Sequence, residues 1–89
     1  MNKHATIIDE DAEHYRAQWW RRRLMLLKHD QLSDLIGWSE RQIYQLETGL
    51  NGEGRPFSEA VWRRYRMACA GIHAQKYGWQ KGREFEWRM

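Results

Sequence analysis

Arg41, Gln42 and Gln45 fall close together in the stretch SERQIYQLETG, and each has a side chain that suits the edge of a nucleic-acid base. The planar fork of Arg41 matches O6 and N7 of guanine, and a Gln amide matches N6 and N7 of adenine. Glu40 could accept from cytosine N4, and Tyr44 adds a ring and a hydroxyl. Around them stand groups suited to phosphate: Ser39, Thr48 and Asn51, with Arg55 downstream and His29 upstream. On a merely solvated helix the same residues would do nothing. Their chemistry depends on the elements that hold them.

Other chemistry lacks its parts. His4, His14, His29 and His73 do not fall at metal-ligand spacings, and no Ser, Cys or carboxylate has a motif partner to activate it. The expectation is no enzyme, no metal and no cofactor. Cys69 is the only cysteine, which excludes an internal disulfide framework and fits a reducing, cytoplasmic setting. The run GLNGEGRP, 49–56, has three glycines but neither the preceding strand nor the Lys-Ser/Thr of a phosphate-cradling loop. No apolar run approaches the roughly 20 residues that span a bilayer, so no membrane partner is expected.

Charge is unevenly placed along the 89 residues. Residues 1–14 hold one Lys against four acids, while residues 15–89 hold 14 basic against 8 acidic residues, most of the basic ones Arg. Arg suits bidentate contact with phosphate and base edges, so a polyanion partner is consistent with this body; solvated helix faces would carry the same charge.

Periodicity places the elements. Residues 1–8 show no sustained period and read as a loose arm. Asp9 can cap a first helix running to about Lys28, with Ala17, Trp20, Leu24 and Leu27 on one face. A short second helix, from about Gln31 to Ile36, has Leu32, Leu35 and Ile36 as its stripe and Gly37 just past its end. Ser39 then caps a third helix, with Gln42 completing a capping box, Ile43 and Leu46 facing inward and Gly49 ending it near Thr48. Ser58 caps a fourth helix, with Phe57 and Trp62 as a staple, Val61, Tyr65, Ala68 and Ile72 as its buried stripe and Arg63, Arg64 and Arg66 outside. In the last stretch Phe85, Trp87 and Met89 alternate with charged residues. This predicts a short strand, with a hairpin turn across Lys81 and Gly82.

A short helix, a glycine turn and a second helix with basic flanks describe a helix-turn-helix. Residues 28–49, KHDQLSDLIGWSERQIYQLETG, resemble the Cro/C1-type or XRE family of repressors, with Leu27, Leu32, Ile36, Gly37, Ser39, Ile43, Leu46, Glu47 and Gly49 matching in type and register. That resemblance implies a five-helix DNA-binding domain, in which Glu47 pairs with one of Arg21, Arg22 or Arg23. Departures are His29, where the family usually has Gln, Ser33 for Ala, and Trp38 for Val; Trp38 must be partly exposed or packed differently. The loop ending in Arg55 and Pro56 is similar to that of small phage repressors associated with anti-CRISPR operons.

The expected fold is therefore all-α, a bundle of four to five helices containing a helix-turn-helix, with an N-terminal arm (1–8), a DNA-binding domain (9–76) and a C-terminal arm (77–89). The expected function is sequence-specific binding of double-stranded DNA, as an autoregulatory repressor and homodimer on an inverted repeat. The subunit contact is expected on helix 4 and the C-terminal arm, at Tyr65, Cys69, Trp79, Phe85 and Trp87. The alternative is an interaction protein of the same fold, an antiactivator that binds another regulator.

Overall fold

In a computed structural model describing residues 12–79 and 85–87, the chain forms α1 (Glu13–Trp19), α2 (His29–Ile36), α3 (Glu40–Thr48) and α4 (Glu59–Tyr77). A π-helical segment, Trp20–Leu24, continues α1. The fold is all-α. Among the described residues there is no strand, only an antiparallel bridge between Leu50 and Pro56, and Phe85 to Trp87 do not form the strand their alternation predicts. The arm at 1–8, the cap at Asp9 and the turn at Lys81 and Gly82 lie outside the described residues.

The first helix does not continue to Lys28. From Trp20 the ladder widens, so that the Met25 N–H bonds to the Trp20 carbonyl and the Leu27 N–H to the Arg21 carbonyl. A π turn inserts a residue into the helical repeat. Trp20 and Arg21, three and four residues after the buried Ala17, share its inward face at 0% and 4% exposure, and past the inserted residue Met25 is the next to be buried. Leu26 then takes a left-handed conformation (φ 58°), and the Arg21 guanidinium donates to the Leu27 carbonyl, closing the helix end.

Capping beyond that point follows local chemistry. Gly37 (φ 76°) and Gly49 (φ 88°) end α2 and α3 in the left-handed region that costs an L side chain about 1–2 kcal/mol. The Ser39 hydroxyl accepts from the Gln42 N–H while the Gln42 side chain accepts from the Ser39 N–H, a complete capping box. Ser58 accepts from the Val61 N–H, and Phe57 packs edge-on against Trp62 as a staple. In α2 the helix starts two residues earlier than expected, and Leu35 is exposed; Leu32 alone of its stripe is fully buried.

In α4 the buried stripe is Trp62, Tyr65, Cys69 and His73, with Val61, Ala68 and Ile72 half-buried on its flank. The larger rings take the centre of the interface because they remove more apolar area from water. Trp20 sits among them: its indole N–H donates to His73 Nδ1 at 3.0 Å, and Phe85 and Trp87 pack edge-on against it. Trp87 is buried, stacks at a tilt on Tyr65 and donates its N–H to Glu13. Arg66, expected on the outer face, is instead held by Glu13 and Glu59. Tyr65, Cys69 and Trp87, expected at a subunit contact, are instead buried within one chain. They complete the core of one chain, and Phe85 packs half-buried against that core, which leaves only Trp79 of that set exposed.

Candidate nucleic-acid interface

Three attachments fix α3. Its inner side buries Ile43 and Leu46 completely, its start is closed by the Ser39–Gln42 box, and its last turn is tied down by Glu47. The Glu47 carboxylate, its side chain 2% exposed, accepts from Arg21 Nε at 2.6 Å and from Arg21 Nη2 at 2.8 Å. Such a bidentate pair constrains orientation as well as distance. Because Arg21 also donates to the Leu27 carbonyl, one guanidinium joins the end of the first helical run to α3. The resemblance implied an arginine partner for Glu47; the structure selects Arg21, while Arg22 and Arg23 are exposed.

With Ile43, Leu46 and Glu47 inward, Glu40, Arg41, Gln42, Tyr44 and Thr48 lie on the exposed sides of α3, and Gln45 is half-buried. Arg41 has neither an ion-pair nor a hydrogen-bond partner among the described residues. Its five donors are therefore open to a ligand. Gln42 differs, because its carbonyl oxygen already serves Ser39. Tyr44 is 59% exposed.

The groups assigned to phosphate separate in the same way. Ser39 spends its N–H and its hydroxyl on Gln42, and the Thr48 hydroxyl donates to the Gln45 carbonyl. His29 brings Nε2 to 3.0 Å from Glu47 rather than standing free at the surface. Asn51 organises the loop: its side-chain oxygen accepts from the N–H groups of Glu53 and Arg55, and its backbone pairs with the Arg55 carbonyl. That turn is pinned by the Leu50–Pro56 bridge and presents Arg55, which is exposed. Of the phosphate set, Arg55 is the cation left free by this geometry among the described residues. The partners of Thr48 and His29 are set by hydrogen bonds within the chain that residue type alone does not reveal, whereas that of Ser39 is the capping box its spacing from Gln42 predicts.

Trp38, at the turn between α2 and α3, is half-buried, its ring edge-on to Tyr65 with centroids 5.2 Å apart. The larger side chain is thus accommodated by packing against α4. Beside it a groove of about 440 Å³ opens between the start of α3 and α4, with Trp38, Phe57 and Val61 as walls and Arg64 on its edge.

The fold and this surface define a small all-α chain built around a helix-turn-helix. No protein-family model matches the chain, and no curated protein and no solved structure matches it significantly. Among the described residues no helix is long and apolar enough to cross a membrane.

Proposed function

We propose that this chain binds double-stranded DNA sequence-specifically through α3 and acts as an autoregulatory repressor, as a homodimer on an inverted repeat. The observation that carries this reading is a rigidly seated helix with an unpartnered arginine on its open side. Arg41 stands in the second position of a capped helix whose far end is anchored by the buried Arg21–Glu47 pair. A fixed backbone is what a bidentate guanine contact requires, and such a contact discriminates between bases by about 1–3 kcal/mol. Arg55, on its pinned turn, supplies a phosphate contact that orients the domain without reading sequence. Two copies are needed because one nine-residue helix reads few base pairs.

Mobility shifts against DNA from upstream of the gene test this directly. Wild-type protein should prefer one site there, with log affinity falling linearly with log salt. Arg41→Ala should lose about 10- to 100-fold in affinity for that site while retaining most of its binding to unrelated duplex. Wild-type protein without any site preference overturns the proposal. The groove at Trp38, Phe57 and Val61 favours the second reading, an interaction protein that receives an apolar segment of another regulator beside α3. Loss of a stoichiometric protein complex on Trp38→Val, with no effect on DNA, would select that reading.

A further inference from the structure

The histidine at the first position of α2 touches α3 twice. His29 Nε2 lies 3.0 Å from Glu47 Oε1, and the His29 ring meets Tyr44 edge-on, with centroids 6.1 Å apart and planes at 73°. A carboxylate held by a guanidinium only accepts, so the ring nitrogen facing it carries a hydrogen. His29 is thereby fixed at one edge by a group that is itself buried and doubly bonded to Arg21. The other contact is with a tyrosine that is 59% exposed on α3. Arg21, Glu47, His29 and Tyr44 form a chain of contacts from the core to the surface that the preceding reading assigns to DNA.

We propose that His29 is a positioning residue for recognition: anchored on Glu47, it holds the Tyr44 ring in the orientation in which α3 presents it to a base. An exposed tyrosine without a neighbour distributes among its rotamers, and freezing it on binding costs affinity. The edge-to-face contact with His29 removes part of that cost before DNA arrives. This assignment replaces the direct phosphate role expected for His29, since the nitrogen facing α3 is already used inside the chain. It rests on the DNA-binding reading, which the experiment below tests separately.

The duplex preferred by wild-type protein is selected from a random-sequence pool, and its affinity is compared with that of a scrambled duplex at fixed salt. His29→Gln keeps an N–H for Glu47 and removes the ring from Tyr44. It should lower the ratio of preferred to scrambled affinity by about three- to tenfold, with scrambled affinity and melting temperature close to wild type. In a Tyr44→Ala background the same substitution should change the ratio no further. In the free protein, the Tyr44 ring resonances should shift on His29→Gln.

The outcomes separate the two ideas. If wild-type protein selects a duplex but the His29 and Tyr44 losses add, or both affinities fall together, His29 acts independently of Tyr44 and the proposal is overturned. Unmoved Tyr44 resonances overturn it as well. If wild-type protein selects no duplex, the DNA-binding reading fails and this assignment falls with it.

Discussion

Glu47 gathers Arg21 Nε, Arg21 Nη2 and His29 Nε2 on one carboxylate, inside a chain small enough for that one cluster to decide how α3 sits. A buried pair of this kind adds little net stability over an apolar pair of the same shape, but removing one partner leaves a buried charge unpaired. Glu47→Ala should therefore destabilise the fold by about 3–5 kcal/mol, measured by urea denaturation. A loss below about 1 kcal/mol would show that Arg21 finds water instead. At this scale the sequence was only partly legible: the resemblance pointed to an arginine among residues 21–23, but which of the three reaches Glu47 depends on how the first helical run packs on α3, and Arg21 is the one on the buried face with Ala17 and Trp20. Arg41 and Arg55 were legible as free cations. The internal bonds of Thr48 and His29 were not, because a hydroxyl or an imidazole takes whichever partner the fold brings near.

Among the elements, those closed by local chemistry were legible and those closed by packing were not. Gly37, Ser39 with Gln42, Gly49 and Ser58 act within a few residues of themselves, so their spacing is sufficient evidence. The two glycines should nevertheless respond differently to substitution. A Cβ at Gly37 meets nothing within 4 Å, so Gly37→Ala should cost about 1–2 kcal/mol for the left-handed conformation alone. At Gly49 a Cβ would also lie 3.0 Å from the His14 ring, so Gly49→Ala should cost more, and His14→Ala should recover part of the difference. Equal denaturation midpoints for the two alanine variants would count against this packing. By contrast, the end of the first helix, where the Leu24 carbonyl accepts from the Tyr77 hydroxyl and Lys76, and the buried side of α4 involve residues far away in the chain. Trp62, Cys69 and His73 lie deeper than Val61, Ala68 and Ile72, with His73 meeting Trp20 and Tyr65 meeting Trp87.

For the whole molecule, the decisive feature is an aromatic core that joins distant parts of the chain. Trp20 contacts His73, Phe85 and Trp87, while Trp87 also reaches Tyr65 and Glu13. His73 is 3% exposed, and burial holds its pKa below the ordinary 6.5. Its Nδ1 must stay unprotonated to accept from Trp20. Above the ordinary value the ring is neutral in both states and adds no pH dependence. As pH falls below 6.5, the unfolded chain takes up a proton that the folded chain resists, so stability declines until the lower folded pKa is passed. Wild-type protein should thus lose more stability between pH 7.5 and pH 5.5, roughly the range of ordinary His titration, than His73→Asn, whose side-chain oxygen can still accept from Trp20. Parallel pH profiles in urea denaturation would contradict it. Burial likewise raises the pKa of Cys69 and of Tyr65, so both stay neutral in the core.

The sequence by itself determined the all-α class, the break at Gly37 and Gly49, the cap that starts α3 and the inward faces of Ile43 and Leu46. Each follows from backbone conformation or helical period, which act over a few residues. Tertiary structure alone decided which arginine holds Glu47, where the first helical run stops, what His29 touches and where Trp87 lies. Those outcomes depend on pairing across 18 to 74 residues of chain. A buried donor takes a partner and a large ring finds a neighbour according to what folding brings together, and spacing along the chain carries no record of it.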